Sequence, residues 1–422
     1  MTAATAATAA TDTLRTAAPA AAPAPAPPGD DIRPRWGRRL QRAPGVVLGS
    51  VALLPVGAYL WVALHRLGYP FELEWLEGGA VGIVQRAAAG HGLYVQPSLH
   101  YVPWPYPPMY FWTSAAVAHV TGVGFLALRL VSFTASLATF VVIYILVRSG
   151  TSDRVAGVCA VGLYAATFRL SGAWLDLGRV DSLFLLLFLL AVLVARRARS
   201  WRGGIAVGAL VFLAFFTKQT ALVAALPLLG WLLLRRPRVG AAAAGAALLV
   251  GHAVAALRRA SPFRWRWLVT AVLAVPLVVQ LDQLRYPLAA QIPTAADHRA
   301  GNQLVASLRH LPGQVIVLDH PWYATLAGKG TSAQEEAIYE VLRSGDDRGR
   351  RVLLRDLPGA VASPAVGAVV LDNGDEARGF AAVLARDFIE VPVPLVPGDA
   401  LYPVTDQRVR PTLLFVRRTA PR

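Results

Sequence analysis

The chain has 422 residues, is 55% hydrophobic with a mean hydropathy of +0.48, and only 16% of it is charged. Soluble chains carry more charge and shorter apolar runs, so the composition excludes an ordinary soluble protein and points to a membrane protein. The formal charge of +16 is no sign of nucleic-acid binding: residues 287–422 balance at 15 acids and 15 bases, and the excess lies in residues 1–286. There it gathers at the ends of apolar runs, as Arg33, Arg35, Arg38, Arg39 and Arg42, then Arg196, Arg197, Arg199 and Arg202, then Arg235, Arg236 and Arg238. Such clusters mark cytoplasmic flanks and suit anionic lipid headgroups.

Residues 1–43 open with an Ala/Pro/Thr-rich stretch expected to be disordered and end in the first Arg cluster, a cytoplasmic flank to an uncleaved signal anchor. The apolar runs then fall at about 46–64, 106–121, 125–147, 154–170, 182–195, 204–217, 219–234, 239–257 and 267–285. We expect about 7–9 membrane segments within residues 44–286. If all cross in alternation, the 196–202 cluster lies outside. If 154–170 and 239–257 only half-span, every basic cluster lies inside, and we take that arrangement. Both place the loop 65–105 and residues 287–422 on the outer side of the cytoplasmic (inner) membrane. The single cysteine, Cys159, excludes a disulfide or thiolate-metal framework.

Between Pro44 and Tyr286 acids are scarce, and three of them, Glu72, Glu74 and Glu77, sit in one short run, Phe-Glu-Leu-Glu-Trp-Leu-Glu-Gly. If Glu72–Val84 is helical, Glu74 and Glu77 share a face and Glu72 points elsewhere. Paired carboxylates divide into one with a raised pKa and one ionised, which suits general-base work. The plainer reading is an acidic first turn of a helix. Arg179 and Asp181 read either as a headgroup-level ion pair or as functional intramembrane charges. Lys218 is one of only two lysines against 39 arginines, and either snorkels or is kept as a compact ammonium for a phosphate. Arg86 reads equally as a solvated helix face or a phosphate clamp. Tyr94, Tyr101, Trp104, Tyr106 and Trp112 suit an interfacial aromatic belt or a sugar-stacking surface. His91, His100 and His119 have no ligand spacing, so no metal site is supported and no cofactor is expected; a divalent metal held by the acidic loop and a phosphate stays open without sequence support.

Residues 287–422 alternate short apolar runs with helical patterns. Strands are expected at Gln314–Asp319, Ala365–Asp372 and Thr412–Arg417, and helices at Asp297–Leu308, Gln334–Arg343 and Ala377–Arg386. This is the pattern of a soluble α/β domain. Asp319-His320-Pro-Trp-Tyr323 and Gly328-Lys329-Gly330 read as turn chemistry or as an edge that meets an acceptor.

The order of several short motifs over residues 45–235 resembles the GT-C-type glycosyltransferases that use polyprenyl-phosphate sugars, the group of protein O-mannosyltransferases and aminoarabinose transferases. The matching runs are the acids before Gly78-Gly79, then Gly90-His-Gly-Leu-Tyr94, Tyr106-Pro-Pro-Met-Tyr110, Ala127-Leu-Arg129-Leu, Leu177-Gly-Arg179-Val-Asp181 and Thr217-Lys-Gln-Thr220. The resemblance implies a multi-pass α-helical membrane domain with a C-terminal soluble α/β domain. It also implies inverting transfer of a sugar from a polyprenyl-phosphate donor to a cell-envelope acceptor. It implies Glu77, then Glu74, as base, with Asp181 shaping the site and Arg86, Arg179, Lys218 and Tyr106 holding the donor. The chain departs from the family in the short interval Ala221–Tyr286, which leaves a minimal, partner-dependent or degenerate form open. A non-catalytic membrane protein binding a glycan or partner is the second reading. A transporter is disfavoured, because its charges would lie at midplane in inverted repeats.

Overall fold

The computed structural model describes residues 35–198, 201–234, 286–344, 347–377, 379–392, 395–396 and 398–418. The apolar runs expected at 239–257 and 267–285, the cluster Arg235–Arg238 and Asp282 lie outside the described residues, as do residues 1–34. The chain divides into Met1–Arg42 and a second compact unit, Ala43–Arg422. Of the first, only the start of a helix from Arg35 is described.

Eight helices precede residue 235 among the described residues: α1 (Arg35–Leu67), α2 (Glu77–Ala88), α3 (Met109–Thr121), α4 (Phe125–Thr151), α5 (Arg154–Ala166), α6 (Asp181–Arg197), α7 (Trp201–Thr217) and α8 (Ala221–Leu234). Two stretches are long and apolar enough to cross a bilayer, Gly45–Leu67 and Phe125–Thr151. Their 23 and 27 residues span about 35 and 40 Å at 1.5 Å per residue. They are used differently. Gly45–Leu67 exposes Val46, Leu53, Leu54, Trp61 and Leu64, a surface that suits lipid, whereas more than half of the α4 window is buried. The expected runs at 106–121, 154–170, 182–195, 204–217 and 219–234 are all helical but shorter than a full crossing.

Local chemistry sets the joints. Asp153 caps α5, accepting from Val155 N at 2.8 Å and Ala156 N at 3.3 Å. Gly162 lets α5 lie backbone to backbone on α1, since a Cβ there would collide with Ala52 O.

After residue 286 the chain forms helices α9 (Ala295–His310), α10 (Pro321–Leu326), α11 (Glu335–Arg343), α12 (Asp347–Ala362) and α13 (Ala381–Asp387), with strands β1 (Gln314–Val317), β2 (Val366–Leu371), β3 (Phe388–Val391) and β4 (Leu413–Arg417). The sheet order is β1-β2-β4-β3, with β1 parallel to β2 and the other pairs antiparallel. Strand alternation divides the core. Ile316, Val369 and Leu371 face one cluster with Leu353 and Phe388. Val315, Val317, Ala368 and Val370 face another that contains Tyr69, Phe71, Leu73 and Leu177 from the helical half.

The loop 65–105 is therefore no free outer loop: its apolar residues complete the core of the sheet. Helices α10 and α12 and strand β3 were not expected from the sequence.

Candidate functional site

The run after α1 is irregular, with bends at Pro70, Phe71, Leu73 and Glu74, and α2 begins only at Glu77. Phe71 and Leu73 pack into the core of the sheet, and each of the three glutamates meets a different partner. The expectation that Glu74 and Glu77 share a helix face fails, because the helix starts at Glu77.

Glu77 meets α4. Arg129 donates to its Oε1 from Nε at 3.0 Å and to its Oε2 from Nη2 at 2.6 Å. Gly178 N donates to Oε1 at 2.8 Å and Leu73 N to Oε2 at 2.9 Å. Four donors fill the four lone-pair sites of a carboxylate, and neither Glu77 nor Arg129 reaches solvent. Burial alone would raise the carboxyl, but Arg129 and the two backbone N–H groups hold it below the ordinary range. Arg129 also donates to Arg66 O, Tyr69 O and Phe71 O at 3.2, 2.5 and 2.7 Å. The pair is a brace that fixes the turn between α1 and α2. Arg66 repeats the device at the end of α1, donating to Ala173 O, Asp176 and both oxygens of Gln291.

Glu74 meets Arg179. Its Oε1 accepts from Nη1 at 2.8 Å and its Oε2 from Leu76 N at 3.1 Å, so two lone-pair sites stay open. Burial pushes its carboxyl up to about 8, against the pull of Arg179. Arg179 lies 3.9 Å over the Trp174 ring and 3.5 Å from Asp181 Oδ2. Asp181 in turn accepts from Lys218 Nζ at 2.6 Å. Glu74, Arg179, Asp181 and Lys218 thus form one continuous row of alternating charge, drawn from the turn, the N-terminus of α6 and the α7–α8 joint. Next to Lys218, Gln219 donates to Pro105 O at 2.8 Å. Arg179, Asp181, Tyr106 and Trp104 line a recess of about 10 Å³, room for one water.

Glu72 meets the sheet half. Its carboxylate bonds His320 Nδ1, while His320 Nε2 lies 2.9 Å from Asp372 Oδ2. Burial opposes a charge on His320, yet Asp372 and Glu72 on either side hold its pKa well above the usual value. His320, read from sequence as a turn or acceptor edge, is instead a buried link between the two halves. Beside it, burial and then Glu376 and Asp372 push Asp319 up to about 9.

Arg86 stands apart from the row. It donates to Gly92 O at 2.5 Å, stacks 4.6 Å over Tyr101, and borders a cavity of about 340 Å³, within the range of small-ligand sites. Gly78, Gly79, Trp104, Trp322 and Gln334 also line this cavity. A Cβ at Gly79 would lie 2.6 Å from Trp104, so the Gly78-Gly79 pair is required for the close packing of its wall. Trp104 lines both this cavity and the recess over Arg179. The structure therefore gathers Glu74, Arg179, Asp181, Lys218 and Tyr106, places Glu77 behind them as a brace, and sets Arg86 in a second cavity. The sequence reading missed the Glu77–Arg129 pair, although the motif carrying Arg129 had been singled out, and the His320 link, which lies between segments far apart in the chain.

The charged row thus lies at helix ends in a chain that has, among the described residues, two helices long and apolar enough to cross a membrane. Residues 105–265 match the family described as dolichyl-phosphate-mannose-protein mannosyltransferase. The match covers 161 of the 422 residues, and over that stretch the chain is similar to a glycosyltransferase family of GT-C type. It contains Tyr106, Arg129, Arg179, Asp181 and Lys218, and begins after the three glutamates. No curated protein and no solved structure matches the chain.

Proposed function

We propose that the chain transfers a sugar, with inversion, from a polyprenyl-phosphate donor to a hydroxyl of a cell-envelope acceptor, at the outer face of the cytoplasmic membrane. The observation that carries this reading is the row Glu74–Arg179–Asp181–Lys218, two cations and two acids joined end to end. Glu74 is the base, because it keeps open lone pairs and Glu77 has none. Glu74 takes the proton of the acceptor hydroxyl, whose oxygen forms the new bond to the anomeric carbon as the bond to the phosphate oxygen breaks. Arg179 and Lys218 offset the charge on the departing phosphate, and Asp181 positions both. Tyr106 borders the donor, and Arg86 lies on the wall of the larger cavity. Seven to nine membrane segments with a cytoplasmic N-terminus, and membrane lipid around them, belong to the same reading. No cofactor enters the step.

One observation favours the second reading, a non-catalytic glycan- or partner-binding protein: the recess over Arg179 and Asp181 holds about 10 Å³, so a donor requires it to open. Radiolabelled polyprenyl-phosphate sugars on membranes decide between them. Transfer by the wild type and its loss in Glu74→Gln are expected. Absence of transfer with every donor, or full activity of Glu74→Gln, overturns the catalytic reading.

A further inference from the structure

In open α/β sheets the carboxyl ends of the strands, where the connecting loops begin, are the ordinary place for a ligand. Here β1 and β2 lie side by side and parallel. Asp319 follows the first, and Asp372 and Glu376 follow the second. One oxygen from each carboxylate lies within 4.8 Å of the others. All three are withdrawn from solvent, Asp319 and Glu376 at 6% exposure each and the Asp372 side chain at 4%.

Two of the three are held in place. Glu376 accepts from the backbone N–H groups of Asp372 and Asn373 at 2.8 to 3.1 Å. Asp372 is fixed by His320. Asp319 differs, since its Oδ1 is buried and has no hydrogen-bond partner. Buried carboxylate oxygens are almost always satisfied, and an exception needs an explanation. Repulsion among the three makes the need sharper. The nearby His320 is already engaged on both nitrogens, with Glu72 and Asp372.

We propose that Asp319, Asp372 and Glu376 bind a hard divalent cation of calcium size. The donors are all carboxylate oxygens, which suits Ca²⁺ or Mg²⁺ and disfavours Zn²⁺. Mg²⁺ demands near-octahedral geometry, keeps several waters and is usually held by one or two carboxylates, whereas Ca²⁺ accepts an irregular set of carboxylate oxygens, so three carboxylates withdrawn from solvent favour calcium. The cation fixes the end of β2, and through Asp372 and His320 it steadies Glu72. This site stands independently of the transferase reading.

The test uses the full chain in detergent, stripped with EDTA, with thermal unfolding followed in CaCl₂, MgCl₂ or ZnCl₂. Calcium at a hundredfold excess over its Kd is expected to raise Tm by a few degrees, roughly 3 °C or more for a chain of this size. Bound Tb³⁺, detected by its luminescence, should be displaced by Ca²⁺. Asp319→Asn keeps the shape and removes one ligand charge. It should fold in EDTA at least as well as the wild type and bind Ca²⁺ at least tenfold more weakly. No calcium-dependent shift together with no displaceable Tb³⁺ in the wild type overturns the proposal, as does unchanged Ca²⁺ affinity in Asp319→Asn. A response to Mg²⁺ alone overturns the size assignment. Stabilisation by Asp319→Asn with no cation response in the wild type would mean that the carboxylates share a proton, and overturns it too.

Discussion

Glu74 and Glu77 leave the same short turn, both fully buried, and each faces an arginine carried by another segment. Glu77 receives four hydrogen bonds and its partner is sealed from solvent, whereas Glu74 receives two and its partner is 13% exposed. The first arrangement holds a charge with every lone-pair site occupied. The second leaves two lone-pair sites unfilled and ties the carboxylate to a row of charge that ends at Lys218. A cluster of acids is thus no single site, and the number of lone pairs still open is what sets Glu74 and Glu77 apart.

The largest expected effect breaks the brace. Glu77→Gln leaves Arg129 buried without its counter-charge, which costs about 3–5 kcal/mol, a large share of the stability of a typical fold. Thermal unfolding in detergent should show a strongly lowered Tm or loss of folded protein. Replacing both partners, as in Glu77→Met with Arg129→Met, should recover part of the loss but not all, because Arg129 also holds three carbonyls of the turn. A Glu77→Gln variant as stable as the wild type would remove the distinction between the two acids.

Glu74→Gln should do the reverse. It removes a buried carboxyl whose ionisation burial already opposes, so Tm stays within a few degrees while transfer falls by about 10²-fold or more. The wild type gives a second handle on the same group. With the carboxyl of Glu74 pushed up to about 8, its contribution to stability is fully present below its ordinary range and is lost as pH rises through about 8. Activity that needs the ionised form runs the opposite way, rising with pH to a plateau above about 8. A pH–rate profile whose acid limb lies near 4–5 would remove Glu74 from the role of base.

Much of this was legible in the sequence, and the gaps have physical causes. The apolar runs and Arg clusters marked the helical half, because hydropathy and flanking charge act locally. Strands β1, β2 and β4 were visible as short apolar runs bounded by turns. Strand β3 carries Ile389 and Glu390 exposed between Phe388 and Val391, so it offers no buried run to recognise. The charged row was anticipated as a set, since Arg179, Asp181 and Lys218 are rare residues in apolar surroundings. What could not be read was the assignment of the glutamates. It depends on Arg129 and His320, brought to the turn across 52 and 248 residues of chain, and on a helix that starts at Glu77 instead of Glu72.

The far end of the row gives the smallest and most selective test. Lys218 is joined to Glu74 through Asp181 and Arg179. If its ammonium meets the donor phosphate, Lys218→Gln should weaken donor binding with little change in the bound step. We expect KM for the donor to rise about tenfold, equivalent to about 1.4 kcal/mol, with kcat within about twofold. Lys218→Arg should restore part of that affinity, since charge returns without the compact geometry of an ammonium. A fall in kcat with unchanged KM would instead mean that Lys218 acts by tuning Asp181 and, through Arg179, Glu74. The row would then be one electrostatic unit, and the contrast between Glu74 and Glu77 would extend from one residue to the whole chain of charge.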